Sequence, residues 1–138
     1  MRFIILVKAT PETERGVMPG EALIASMAEF HEQLAKAGVL LDASGLQPSG
    51  KGWRVHYAGA QRRVVDGPFA ETKELVAGYT LIQTRTRDEA LEWTRRFPNP
   101  SADGGAAEIE VRQLYELDEL GASESIERFR AIGAGNGL

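Results

Sequence analysis

The sequence predicts an α+β fold on the ferredoxin-like βαββαβ plan: an antiparallel sheet carrying two helices, with one extra β-hairpin inserted. Three observations predict it. Apolar, β-rich runs stand at residues 3–7, 39–41, 75–84 and 108–115; helical stripes occupy 21–37 and 86–97; an alternating pair of short runs lies at 53–65.

Residues 3–7 are apolar at every position, the pattern of a strand buried on both faces. A loop containing Pro11, Gly16, Pro19 and Gly20 follows. Leu23, Met27, Phe30 and Leu34 then recur at 4, 3 and 4 spacing, one stripe of an amphipathic helix that Gly38 ends. Val39-Leu40-Leu41 reads as a short strand before the Pro48 to Gly52 turn. Trp53, Val55 and Tyr57 alternate with Arg54 and His56, Gly59 marks the tip of a hairpin, and residues 62–65 return. The strand at 75–84 is interrupted by Gly78, which marks either a bulge or a place where a ligand approaches the backbone. Thr86 and Glu89 form a capping-box pattern ahead of Ala90, Trp93, Thr94 and Phe97, and Pro98 stops that helix. Residues 108–115 alternate Ile109, Val111 and Tyr115 with Glu108, Glu110 and Arg112, a strand with one wet face.

Residues 1–117 are expected to form one domain and 118–138 a C-terminal tail. In that tail Ser123 caps a short helix, Ile126, Phe129 and Ile132 form a docking stripe, and residues 133–138 fray. Both helices would pack on one sheet face. The other face needs a cover, because the strand at 3–7 has no polar side, and a second copy of the sheet supplies one.

Composition excludes several classes. The chain has 138 residues, no cysteine and a net charge of −4. Disulfides, thiol catalysis and thiolate metal sites are therefore excluded, and a reducing cytoplasm is the expected location. Residues 101–138 hold three Lys/Arg and eight Asp/Glu, and no basic stripe marks a nucleic-acid partner. The apolar run at the start is too short for a membrane span and lacks a cleavage signal, so no membrane association is expected. No metal-ligand spacing or phosphate loop occurs, and no cofactor is expected.

The nine residues 66–74 read DGPFAETKE, a run that spends turn residues, an aromatic and four charges on one connection. Here the chain resembles the YCII-related family, and in particular its branch with a DGPF motif, within the dimeric α/β barrel superfamily. The resemblance spans about residues 2–115 and implies a homodimer in which two sheets meet face to face. It also implies a site built on a first-helix histidine and an aspartate. His31 matches that histidine by position. Asp66 is the candidate acid, with Asp42 as the alternative. This branch commonly reads Glu-Val-Arg-Pro where the chain has Glu110-Val111-Arg112-Gln113, so the proline's missing N–H is restored here.

His31 and His56 are the only histidines, and His31 lies on the edge of the buried stripe, where an imidazole can work as a general acid or base. The competing reading is a helix-edge histidine that closes a hydrogen bond. Asp66 before Gly67 can instead bond the N–H groups of its own turn, with Gly67 at positive φ and Phe69 plugged into the core. Glu71, Lys73 and Glu74 form either the rim of a cleft or a solvated strand entrance. Arg112 shares a strand face with Glu110 and can clamp a substrate carboxylate or form an ion pair. Tyr79 and Trp53 are candidate ligand-binding aromatics in a pocket between sheet and helices, or simply interface residues.

These residues suggest a small-molecule-binding protein or a cofactor-independent enzyme of the acid/base isomerase or lyase type. Its partner would be a small organic acid or cyclic ligand. The alternative, drawn from the resemblance and the acidic tail, is a non-catalytic regulatory module linked to an extracytoplasmic-function sigma factor.

Overall fold

A computed structural model describes residues 1–133. The elements run β1 (Arg2–Lys8), α1 (Pro11–Glu14), α2 (Glu21–Lys36), β2 (Leu40–Gly45), β3 (Trp53–Ala58), β4 (Gln61–Asp66), β5 (Val76–Gln83), α3 (Arg87–Arg95), β6 (Ile109–Gln113) and α4 (Glu124–Ala131). Single 3-10 turns occupy Ser49–Lys51, Thr72–Glu74 and Leu117–Leu120.

The four-stranded sheet has the order β2-β5-β1-β6, every neighbour antiparallel, and β3 pairs only with β4 in a separate ribbon. This is the ferredoxin-like plan with an inserted hairpin. Pleating divides the sheet into two faces. Phe3 and Ile5 of β1, Ile82 of β5 and Val111 of β6 join Phe30 and Leu34 of α2 and Ala90 and Trp93 of α3 in one core, so both helices lie on one face. Ile5, Leu34 and Ile82 are 0% exposed. Burial on this scale is worth about 1.5–3 kcal/mol per side chain, and it fixes the docking of the helices.

Local chemistry sets the ends of the elements. Thr86 caps α3 by accepting from the Glu89 N–H at 3.1 Å, and the Glu89 carboxylate accepts from the Arg85 N–H at 3.2 Å. Gly38 stands at φ 72° just past α2. β1 shifts register against β5 between Val7 and Lys8, beside Gly78, so the bulge foreseen at that glycine is present. A Cβ on Gly78 would lie 3.1 Å from the Ser44 carbonyl oxygen, closer than ordinary contact.

Several local expectations differ from the structure. The loop after β1 contains helix α1, capped by Thr10 with Pro11 at its first turn, a Thr-Pro start signal the loop reading passed over. β2 runs on to Gly45 because it pairs with β5 along its whole length, past a register shift between Leu40 and Asp42. Phe69 lies outside the core, half-buried beneath the Arg54 guanidinium, which sits 3.9 Å from its ring centroid. Gly67 does not adopt a positive φ; it is required because the Ser49 carbonyl occupies the place a Cβ would take. The left-handed residue of the loop is Glu71, at φ 65°.

The C-terminal helix forms as foreseen, with Ser123 accepting from the Ile126 N–H at 3.2 Å. Its stripe is not docked: Ile126 is half-buried, but Phe129 and Ile132 are exposed. The helix is instead tied to the turn before it, where Arg130 reaches Asp118 at 3.0 Å. Upstream, Arg2 is buried and holds Glu116 through two bonds of 3.0 Å, fastening the start of the tail to β1. The fraying foreseen for the last residues falls, from 134 onward, outside the described residues. No described helix is long and apolar enough to cross a membrane.

Candidate functional site

The candidate residues fall in three places. His31 is under the helices, Tyr79 and Arg112 stand on the uncovered sheet face, and Trp53 and Asp66 belong to the hairpin.

His31 follows Phe30 on α2, and its ring meets Phe30 and Phe97 edge-on at centroid distances of 5.7 and 6.1 Å. Nδ1 lies 2.7 Å from the Met27 carbonyl oxygen, which can only accept, so Nδ1 carries a proton. Nε2 lies 2.8 Å from Oγ1 of Thr80 on β5. In the neutral ring the Thr80 hydroxyl donates to Nε2. Both nitrogens are thereby used, and the histidine bolts α2 to the central part of the sheet. Neither Asp66 nor Asp42 is its hydrogen-bond partner. Thr80 itself is buried, and nothing in an alternating strand singled it out beforehand.

Asp66 ends β4 on the exposed ribbon, opposite Trp53, and no side-chain hydrogen bond to it is found among the described residues. The turn is satisfied from elsewhere. Ser49 Oγ accepts from the Phe69 N–H at 3.0 Å and donates to Glu14 at 2.8 Å, while the Ser49 N–H also donates to that carboxylate. Glu14 of α1 and Ser49 thus hold the signature loop, a role that no local spacing could disclose because the two lie 35 positions apart. Below the loop, Glu71, Lys73 and Glu74 with Ala9 and Pro11 line a depression of about 470 Å³.

The uncovered face is ordered in two cross-strand rows. By register Asp42, Leu81, Ile4 and Arg112 form one row, and Ser44, Tyr79, Leu6 and Glu110 the next. The central strands therefore contribute Leu81, Ile4, Leu6 and Tyr79, and the edge strands polar groups. Tyr79 donates its hydroxyl to Asp42 at 2.8 Å, and this bond, with some desolvation and the negative charge, raises the phenol above its ordinary value. At the opposite edge Glu110 lies 3.2 Å from Lys8 and 3.4 Å from Arg112. The bond from Lys8 first, and then that from Arg112, holds the Glu110 carboxyl below its usual range. Tyr79 therefore lies on the side of the sheet away from the helices, and Trp53 stands out on the ribbon. No group of three metal-ligating carboxylates or histidines is found among the described residues.

The fold is α+β, with one helix-covered and one open sheet face. The YCII-related domain matches residues 1–115, and the chain belongs to that family. An uncharacterized protein of Rhizobium meliloti (strain 1021) is 31% identical over 100 residues, spanning 72% of this chain and 81% of that protein. Among solved structures, the 5-chloro-2-hydroxyhydroquinone dehydrochlorinase TftG of Burkholderia phenoliruptrix AC1100, in complex with 2,5-dihydroxybenzoquinone, superposes with a TM-score of 0.46. It is 13% identical, over 84% of this chain and 95% of that one.

Proposed function

We propose that the protein is a homodimer that binds a small organic acid on its open sheet face and handles a proton there without a cofactor. The observation that carries this reading is the Tyr79–Asp42 bond beside an aliphatic centre, with Arg112 at the far edge of the same face. The Tyr79 hydroxyl donates to Asp42, so the pair offers an O–H donor and a carboxylate acceptor side by side. Arg112, largely exposed, exchanges its long contact with Glu110 for a substrate carboxylate, which a guanidinium grips through two N–H groups. Such a pair suits isomerisation or elimination at a carbon next to a carbonyl. A flat face excludes little water. A second copy of the sheet covers the half-buried Ile4, Leu6 and Leu81 and closes the site. His31 acts in this reading as a positioning residue: it clamps Thr80, whose neighbour on β5 is Tyr79.

The test is a thermal-shift screen with cyclic and aliphatic carboxylic acids, lactones and phenols. A ligand at about 100 times its dissociation constant adds roughly 2.7 kcal/mol of stability. The reading expects a shift in wild type that is lost in both Tyr79→Phe and Arg112→Gln. A shift lost only in His31→Gln would move the site to the helix side. No shift with any compound, in a protein that still dimerises, would favour the regulatory role linked to a sigma factor.

A further inference from the structure

The β3–β4 ribbon lacks the packing that such an element requires. Two strands by themselves are marginal in water, and every residue of β3 is exposed. Register divides the ribbon's side chains between two faces. Arg54, Val65, His56 and Arg63 share the inner one, where Val65 is half-buried and Arg54 lies over Phe69 of the signature loop. The outer face has three rows: Trp53 with Asp66 at the base, Val55 with Val64 in the middle, and Tyr57 with Arg62 toward the tip. Trp53, Val64 and Tyr57 are 65%, 64% and 66% exposed, so an apolar stripe stands in water.

This outer face is complementary to itself. Each end row carries an aromatic on β3, and the two charges on β4 are opposite in sign and stand on either side of the valine row. Neither Asp66 nor Arg62 has an ion-pair partner among the described residues; the Arg62 guanidinium stands 5.0 Å from the centre of the Tyr57 ring.

A twofold axis can stack the face on a copy of itself in two ways. With the axis along the strands, Asp66 falls on the partner's Trp53, and its carboxylate loses water without gaining a cation, which is costly. With the axis across the strands, Trp53 falls on the partner's Tyr57 and Asp66 on the partner's Arg62, while each valine meets its own equivalent. Every unlike contact then occurs twice, as an isologous interface requires. The charges therefore select the second arrangement.

We propose that the outer face of the β3–β4 ribbon is a self-association surface that takes the same face of a second copy, antiparallel, with Trp53 on Tyr57 and Asp66 on Arg62. The apolar stripe supplies affinity, and the end charges set register and disfavour other partners. The face is small beside the roughly 800 Å² per partner of a stable specific interface, so the contact depends on concentration. The proposal does not rest on what the open sheet face binds or on what covers it.

The chain has no cysteine, so a single introduced thiol reports one position. Full-length Val64→Cys is treated with a short bis-maleimide from micromolar to millimolar protein. The expected result is a cross-link between identical chains that strengthens with concentration. It should fall at least tenfold when Arg62→Asp is added, and likewise with Asp66→Arg. Co-expressing those two variants under different tags should restore it between unlike chains, because one then carries only acids at the ends of its stripe and the other only bases. No cross-link at any concentration overturns the proposal, as does one that forms only between Val55→Cys and Val64→Cys chains, the mark of the other axis. Undiminished cross-linking in either charge variant, or no recovery on co-expression, overturns it as well. Should a charge variant fail to fold, the cross-link pattern with the wild-type charges decides by itself.

Discussion

On the helix side of the sheet Ile5 and Ile82 are fully buried, whereas their strand neighbours Ile4, Leu6 and Leu81 on the other side are only half-buried. Alternate aliphatic residues of the same strands thus serve two purposes. On the covered side they meet Phe30, Leu34, Ala90 and Trp93, and their burial holds the domain together. On the open side Ile4, Leu6 and Leu81 lie half-buried on the central strands beside Tyr79, which bonds Asp42 on one edge strand, while Glu110 and Arg112 stand on the other. Polar chemistry is distributed accordingly. Beneath the helices Thr80 bonds His31, whose other nitrogen is held by the Met27 carbonyl, while the open face carries exposed pairs such as Arg112 with Glu110.

The strongest way to break this contrast is a matched pair of truncations. Leu34→Ala on the covered side should cost about 2–5 kcal/mol at any protein concentration, because it leaves a cavity in a closed core. Leu6→Ala on the open side should cost less in dilute protein and, under the proposed homodimer, more as concentration rises, because a second copy would supply part of its burial. Urea titrations at two protein concentrations check both; equal, concentration-independent losses would sink the assignment of the open face.

A middle-sized effect tests the bolt between helix and sheet. Thr80→Val keeps shape but removes the hydroxyl facing His31 Nε2, and leaving that nitrogen without its partner should cost roughly 1–3 kcal/mol. Hydrogen exchange should then rise along α2 more than along α3. A uniform rise would argue that the bond has no local role.

The smallest effect concerns the open-face pair. The folded-state pKa of Tyr79 is raised, so its contribution to stability is present below the unfolded phenol value and is lost as pH rises through the folded value. Asp42→Ala removes the leading cause and should bring the Tyr79 phenolate absorbance in at lower pH. An unchanged titration would show that the bond does not persist in solution.

Much of the fold was legible because it is periodic. The 4, 3, 4 spacing from Leu23 to Leu34, the Thr86 cap and the alternation from Trp53 to Tyr57 each report a local preference, and each element formed. The short helix α1 was missed because four residues give no period to read, only the Thr10-Pro11 start. The site was less legible. That Glu110 and Arg112 share a face follows from strand alternation, but the partners of His31, Asp42 and Ser49 are set by pairings 35 to 49 positions apart along the chain.

By itself, then, the sequence determined the elements, the α+β class, the family to which the chain belongs and the apolar stripe on each helix. These rest on local spacing, capping and composition, which need no knowledge of distant neighbours. Only the tertiary structure decided that His31 faces Thr80, that Ser49 and Glu14 hold the loop after β4, and that Tyr79 and Asp42 meet on the uncovered side. Strand order and register place those groups, and the energy that selects the register is the burial of a whole sheet face rather than the preference of any one residue.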